Sequence, residues 1–162
     1  MKTTICLLTA ALLLTGCSAG VYETIADVQH VSATQPPLRE TVLQFPKDAS
    51  ILTASGSDIL YTCGGYTMSL QSLPAGDLSS TVRTVCGYEM SQLTVMETQC
   101  GDHTRYEWVW TSAGENGDVL CRAAVLDDGD YHYCLSVQVD AEQAGTVNQT
   151  WNELFRSFCL AN

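Results

Sequence analysis

Alternating strand patterns between Leu93 and Val139 restrict the fold of this chain more than any other feature. Four segments rich in β-forming residues follow one another there, joined by short links that contain Gly and Asp. The segments are 93–99, 104–111, 119–126 and 131–139. Because links of this composition are typical of hairpins, the pattern predicts an antiparallel meander over residues 93–139.

In the last of these segments every second residue is apolar, so one face of the predicted sheet is strongly hydrophobic and needs a cover. Its apolar residues are Tyr131, Tyr133, Leu135, Val137 and Val139. Trp108 and Trp110 also alternate, with Tyr106 on the same side. We expect both tryptophans to share the apolar surface of Tyr131 and Tyr133, beneath a covering helix. An exposed aromatic platform for a ligand is the alternative.

The cover is expected to be a helix in the segment 141–158, where apolar residues recur at three- and four-residue steps. They are Ala144, Val147, Trp151, Leu154, Phe155 and Phe158. A short central helix should begin after Asp77, a favourable N-cap, and end at Gly87. A first strand is expected at 41–45, and residues 59–63 and 66–73 form a second apolar region broken by Gly64-Gly65, a turn signal. The predicted class is therefore α+β, an antiparallel sheet covered by a C-terminal amphipathic helix and a short central helix.

The beginning of the chain has the form of a secretory leader. Lys2 precedes an apolar run from Ile5 to Leu14, about half of the ~20 residues that a membrane-spanning helix needs. The run ends in Leu14-Thr15-Gly16-Cys17, which resembles the lipobox of bacterial lipoproteins. The resemblance implies cleavage before Cys17 and a diacylglycerol on its thiol, and two acyl chains give stable attachment. An ordinary leader with an incidental cysteine is the alternative.

Three regions follow from this interpretation: a signal peptide at 1–16, the lipidated Cys17 with a tether at 17–39, and a single α+β domain at 40–160. Scattered Ser, Thr and Gln with Pro36-Pro37 give the tether its polar character. The expected location is the extracytoplasmic face of a cell membrane, with the bilayer as a partner through the lipid. Since residue 18 is Ser and not Asp, resemblance to Gram-negative lipoproteins implies the outer membrane in such a host.

The charge balance restricts the possible partners. The chain has 7 Lys+Arg and 18 Asp+Glu, and loss of Lys2 with the leader would leave six basic residues. Nucleic-acid binding needs clustered basic residues, so we exclude it as a function. The acidity is explained by solubility, and binding of a cation or a basic partner is the alternative.

Six further cysteines could form disulfides, because the expected compartment is oxidising. They are Cys63, Cys86, Cys100, Cys121, Cys134 and Cys159. No pair has Cys-x-x-Cys spacing, which argues against a thioredoxin-like or zinc site. The topology should return the end of the terminal helix towards Cys100, so a Cys100–Cys159 or a Cys134–Cys159 bridge is expected. Small buried hydrophobic cysteines are the alternative.

Two acidic hairpins form the candidate cation site. Alternate loops of a meander lie at one end of the sheet, so the loops at 100–103 and 127–130 should be neighbours, two strand steps of ~4.8 Å apart. The side chains that could converge are Asp102, His103, Asp127, Asp128, Asp130 and His132. Carboxylates suit Ca²⁺, which would then be the cofactor. Plain hairpin turns are the alternative, because Asp-Gly is common there.

The closing segments resemble a known group of domains. Residues 125–133 read VLDDGDYHY, and residues 151–158 read WNELFRSF. This is similar to the PsbP/DcrB-like group, whose domains often end with such a hairpin and a helix finishing in Ser-Phe. The resemblance covers about residues 90–158. It implies an antiparallel sheet with helices on its faces and a binding or assembly role without a shared catalytic motif.

Common enzyme signatures are missing from the sequence, including a nucleophile elbow, a P-loop and a zincin motif. We therefore expect no enzyme and no catalytic residue; a Cys–His pair formed by folding is the alternative. The predicted function is that of a membrane-anchored extracytoplasmic lipoprotein with a non-catalytic binding or envelope-assembly role. Its partner would be an envelope protein or ligand. A small-ligand or cation-binding envelope module is the second possibility.

Overall fold

A computed structural model describes residues 36–115 and 117–161. The predicted signal peptide, the lipidated Cys17 and most of the tether lie outside the described residues. The described chain forms nine strands and two α-helices. In chain order they are β1 Thr41–Val42, β2 Ser50–Ser55, β3 Asp58–Cys63, β4 Tyr66–Pro74, α1 Leu78–Cys86, β5 Met96–Cys100, β6 His103–Gly114, β7 Gly117–Asp127, β8 Tyr131–Asp140, α2 Ala144–Ser157 and β9 Cys159–Leu160.

Seven strands form one antiparallel sheet in the order β2-β3-β4-β8-β7-β6-β5. The predicted meander is confirmed as β5 to β8, and the earlier hairpin of β3 and β4 joins it because β4 pairs with β8. The short strands β1 and β9 pair separately. The fold is α+β, as the sequence predicts.

Helix α2 covers the face that contains Tyr133 and Leu135. Its buried residues pack with alternate residues of β4, β7 and β8 in the larger hydrophobic core. The helical members of this core are Val147, Trp151, Leu154 and Phe155, with Phe158 directly after the helix. Burial of each large side chain contributes ~1.5–3 kcal/mol, so α2 is integral to the fold.

The opposite face is also apolar, and here the prediction for the tryptophans is wrong. Trp108 pairs with Ala123, which in turn pairs with Ser136, so Trp108 lies on the other side of the sheet from Leu135. A shift of one residue in register moves a strand's side chains to the opposite face. Trp108 and Trp110 therefore pack in the second core beneath α1, while Tyr131 and Tyr133 pack beneath α2.

Both ends of α1 follow the sequence prediction. The Asp77 side chain accepts a hydrogen bond from the Ser79 amide at 3.4 Å. Gly87 has a φ of 77°, a left-handed conformation that favours glycine, and its amide donates to the Arg83 carbonyl at 2.8 Å. The helix thus begins and ends where Asp77 and Gly87 predict.

Other boundaries differ from the prediction. Only the first two residues of the expected strand at 41–45 pair, and β2 was not predicted because its six residues are all exposed and show no core-facing alternation. Pro36 and Arg39, placed in the predicted tether, contact the sheet: the Pro36 carbonyl accepts from the Tyr131 hydroxyl, and the Arg39 amide donates to the Tyr133 hydroxyl. No helix in the described part of the chain is long and apolar enough to cross a bilayer.

Candidate functional site

A cleft lies between α2 and the side of the sheet formed by β5 and β6. Helix α2 packs over β8 and its neighbours but leaves this side open, so Met96 is 61% and Val109 55% exposed. The cleft has a polar lobe of about 440 Å³ and an apolar lobe of about 390 Å³. Glu107 and Arg122 line both lobes, so the lobes are neighbours. We take this cleft as the candidate site.

Glu107 is at the centre of an ion-pair network on the cleft floor. Its carboxylate lies 2.5 Å from Arg105 Nε and 2.9 Å from Arg122 Nη2. Arg105 and Glu107 are alternate residues of β6 and therefore share a face of the sheet. The register between β6 and β7 places Arg122 on the same face. Their side chains are 13–23% exposed, so water screens the pairs only partly.

The electrostatics favour an ionised Glu107. Burial on its own would raise the pKa of this carboxyl, but hydrogen bonds from Arg122 and Arg105 outweigh burial and hold the pKa below its usual value. The floor of the cleft therefore carries two guanidinium groups and one carboxylate, which is a net positive charge.

Arg105 also joins the sheet to the end of α2. Its guanidinium donates to the Phe158 carbonyl at 2.7 Å and to the Phe155 carbonyl at 2.8 Å. These carbonyls lack intrahelical partners at a helix C-terminus, where a cation is favourable. Arg105 thus has a structural role as well as a place in the cleft.

Arg122 and Arg156 are more exposed to the cleft than Arg105. Arg122 donates to the Asn152 side chain at 3.0 Å, and its guanidinium carbon lies 4.2 Å from the centre of the Phe155 ring. Arg156 lines the polar lobe and is exposed. No acceptor for its guanidinium occurs among the described residues. The polar lobe thus has unused donors at its rim.

The apolar lobe lies next to this basic floor. Met96 and Val109 form its sheet side, and Trp151 of α2 forms the opposite wall. Its remaining lining residues are Thr94, Glu107, Trp108, Leu120, Arg122 and Asn148. A compound with a charged end and an apolar end would find the two environments side by side.

The acidic hairpins lie at one end of the sheet, as predicted, but their carboxylates are engaged separately. Asp102 pairs with Arg39 at 2.9 Å and with His103 at 3.1 Å, and the hydrogen bond from His103 lowers its pKa. Asp127 and Asp128 accept hydrogen bonds from their own turns.

No group of three or more metal-ligating side chains occurs in the described chain. The Asp130 backbone carbonyl accepts a hydrogen bond from the Ala75 amide. The geometry gives the calcium hypothesis no support, and it stays a prediction.

The cysteines are unpaired in the described structure. Cys63, Cys121 and Cys134 are buried, and burial raises the pKa of each thiol, that of Cys134 to about 12. Cys86 donates to the Val82 carbonyl within α1. Cys100 and Cys159 both line the polar lobe with His103. His103 Nδ1 is engaged by Asp102, and no thiol–imidazole hydrogen bond is formed there among the described contacts.

His132 is buried and links α1 to the sheet. Its Nδ1 shares a hydrogen bond of 2.6 Å with the Thr81 hydroxyl, and its Nε2 lies 3.5 Å from Asp127. The order hydroxyl, imidazole, carboxylate is that of hydrolase triads. However, Thr81 and His132 are only 6% and 1% exposed, so a substrate has no open path to the hydroxyl. We interpret the group as a structural link.

Sequence reasoning missed the three central residues of the cleft. Arg105 and Glu107 occupy the face of β6 opposite Trp108 and Trp110, and that face reads as an ordinary polar surface. Arg122 interrupts an otherwise apolar face of β7. The available signal was the scarcity of basic residues. In a chain this poor in Lys and Arg, two arginines within the meander strands are candidates for a specific role.

No protein-family model matches this sequence, and no curated protein matches it. Solved structures resemble it in fold. Cyanobacterial PsbP (CyanoP) from Synechocystis sp. PCC 6803 is 13% identical with a TM-score of 0.57, over 75% of this chain and 86% of that one. LpqN of Mycobacterium tuberculosis, described as involved in cell envelope biogenesis, is 12% identical with a TM-score of 0.52, over 80% and 88%.

The Ran-binding protein Mog1p of Saccharomyces cerevisiae is a third similar structure, 14% identical with a TM-score of 0.50, over 74% of this chain and 89% of that one. At such identities the similarity shows the fold alone. The chain has a PsbP-like fold, in agreement with the resemblance of its closing hairpin and helix.

Proposed function

We propose that this chain is a membrane-anchored extracytoplasmic lipoprotein whose domain has a non-catalytic binding role in the cell envelope. The cleft between α2 and the β5–β6 side of the sheet is its binding site. Cys17 is the lipidated residue that attaches it to the membrane.

The observation that carries the binding role is the cleft itself. Ligand sites are concave, have volumes of ~300–1,000 Å³ and combine apolar walls with a few convergent polar groups. The two lobes, of about 440 and 390 Å³, have these properties. Arg105, Glu107 and Arg122 are held in place by mutual ion pairs, so the polar groups are ordered before a ligand arrives.

The comparisons support an envelope role only through shared fold. LpqN, with the same fold, is described as involved in cell envelope biogenesis. Function belongs to sites and not to folds, so this similarity is an analogy. It agrees with the lipobox, which independently points to the envelope.

Within the second function considered from sequence, a small-ligand or cation-binding module, the cleft favours the binding of a small ligand over that of a cation. The carboxylates of Asp127 and Asp128 already accept hydrogen bonds, and that of Asp102 pairs with Arg39, whereas the cleft is basic. A role in envelope assembly through a protein partner remains compatible with the same site if a partner inserts a side chain there.

Membrane attachment is tested by expressing the full chain and its Cys17→Ala variant in a bacterial host. We expect the wild-type protein in the membrane fraction, with an N-terminal Cys17 that carries a diacylglycerol mass. The variant should be neither acylated nor membrane-bound. A wild-type chain that is soluble, or that retains residues 1–16, would overturn the anchoring.

The binding role is tested by NMR on residues 17–162 with Cys17→Ser. A small-molecule extract of bacterial envelopes should shift amide resonances around Arg122, Val109 and Asn152, while those of β2, on the far edge of the sheet, stay in place. An unchanged spectrum would contradict the binding role of the cleft. Conversion of an extract component into a new product would contradict its non-catalytic nature.

A further inference from the structure

We propose that the cleft binds a single long-chain fatty acid, with the carboxylate at the basic lobe and the hydrocarbon chain along the apolar lobe. This inference rests on the binding role proposed above and deepens it, since it names the ligand class. The argument combines the distribution of charge, the unused donors and the shape of the cleft.

Charge is distributed unevenly over this chain. After residue 17 there are six basic residues, and three of them line the polar lobe. They are Arg105, Arg122 and Arg156. Glu107 is the one acidic residue of that lobe, so the lining carries a net positive charge in a chain whose net charge is −11. An anion is therefore attracted to this cleft and repelled by most of the remaining surface.

The donors that a carboxylate needs are present at the rim. A guanidinium group has five N–H donors. Arg122 uses two of its nitrogens for Glu107 and Asn152, and Arg156 has no acceptor among the described residues. Hydrogen bonds between arginine and a carboxylate are charge-assisted and strong, so these two arginines can hold the head group.

The apolar lobe gives the ligand its second property. Val109 and Met96 expose more than half of their surface to water beside Trp151, and the apolar lobe shares Arg122 and Glu107 with the polar lobe beside it. A small carboxylate without a hydrocarbon chain would leave these apolar side chains exposed to water. A hydrocarbon chain would remove this surface from water, and burial of apolar surface stabilises a complex.

A dissolved fatty acid fits this arrangement better than a bilayer surface does. Anionic bilayers repel a chain with 18 acidic residues, whereas one small anion can enter a local basic cleft. The apolar lobe has a volume of about 390 Å³, so the proposal commits to an amphiphile with a single hydrocarbon chain.

The test uses residues 17–162 with Cys17→Ser, so that no bound acyl chain competes. Palmitate below its micelle concentration is titrated and followed by calorimetry and by NMR. 1-Hexadecanol, which has the same chain without the charge, should bind at least tenfold more weakly, equivalent to ~1.4 kcal/mol. Acetate, the head group alone, should give no detectable binding. NMR shifts should be confined to the cleft.

Three variants locate the site. Arg156→Gln and Val109→Asp should each weaken palmitate binding about tenfold, and both residues are exposed, so the fold is preserved. Arg83→Gln is the matched control, because this arginine lies on α1 and pairs with Glu89, which follows the helix. Its affinity should equal that of the parent protein.

The proposal is overturned if palmitate does not bind, if hexadecanol binds equally well, or if neither cleft variant weakens binding. If palmitate fails while the envelope extract still shifts cleft resonances, the ligand class is wrong and the binding role stands. If neither palmitate nor the extract shifts them, both proposals fail.

Discussion

Glu107 is the ionisable residue whose environment has the clearest consequence for stability. Its pKa is lowered in the folded state, because the hydrogen bonds from Arg122 and Arg105 outweigh burial. Its stabilising contribution is therefore complete above the unfolded value of ~4.3 and is lost as the pH falls through the folded pKa. Glu107→Gln should lower the free energy of unfolding at pH 7 by ~1.5–3 kcal/mol.

Urea denaturation at pH 7 and at pH 3 measures this difference between wild type and variant. The gap should narrow at pH 3, below the unfolded value of ~4.3, because the carboxyl there binds a proton more readily in the unfolded state than in the folded state. Glu153→Gln, at an exposed position of α2, should leave stability unchanged at pH 7. A gap for Glu107→Gln that is equal at both pH values would contradict the lowered pKa.

A second residue-level prediction concerns the buried link between α1 and the sheet. Thr81→Val removes the hydroxyl that shares a hydrogen bond with His132 and leaves a buried imidazole nitrogen without this partner. We expect a loss of ~1–3 kcal/mol in the free energy of unfolding. Thr84→Val, an exposed change on the same helix, is the control and should alter stability by less than ~0.5 kcal/mol. Equal effects would contradict the structural role.

Single residues differ in how far sequence predicts them. Asp77 and Gly87 act through local backbone chemistry, so their roles as helix caps follow directly from the sequence. Glu107 and Arg122 are 15 residues apart, and only the β6–β7 register brings them together. The ion pair could not be predicted because it depends on which face each strand turns towards the cleft.

At the scale of elements, α2 is the helix on which both the core and the cleft depend. Phe155 is 1% exposed in the main core, and its ring also lies against Arg122. Phe155→Ala should lower the free energy of unfolding by ~3–5 kcal/mol, since it creates a cavity and removes the cation–π contact. Thermal denaturation followed by circular dichroism measures the loss. Glu153→Ala, on the exposed side of α2, is the control and should cost less than ~0.5 kcal/mol.

Elements were predictable where one pattern dominated. The meander strands and α2 show periods of two and of three to four residues, which reflect burial on one face. Strand β2 has no such pattern because all of its residues are exposed at the sheet edge. The faces of Trp108 and Tyr133 were assigned wrongly, because alternation tells which residues of one strand share a face but not how that face aligns with the next strand.

At the scale of the whole molecule, Cys100 and Cys159 connect the edge of the sheet to the end of the chain. Both line the polar lobe, whereas Cys134 is buried in the core beneath α1, on the other side of the sheet. Of the two bridges expected from sequence, we therefore predict Cys100–Cys159. Cys159 is exposed and accessible to an oxidant.

Oxidation of residues 17–162 with Cys17→Ser by oxidised glutathione should form this bridge. The two thiols give up two protons and two electrons, and one glutathione disulfide becomes two glutathione thiols. Two of the six thiols should become resistant to alkylation, and the free energy of unfolding should rise by ~2–4 kcal/mol, because the bridge restricts the unfolded chain. Cys159→Ser should show neither change. A Cys159 that is still alkylated after oxidation, or that is joined to another cysteine in peptide mapping, would refute the bridge and leave the cleft open at this end.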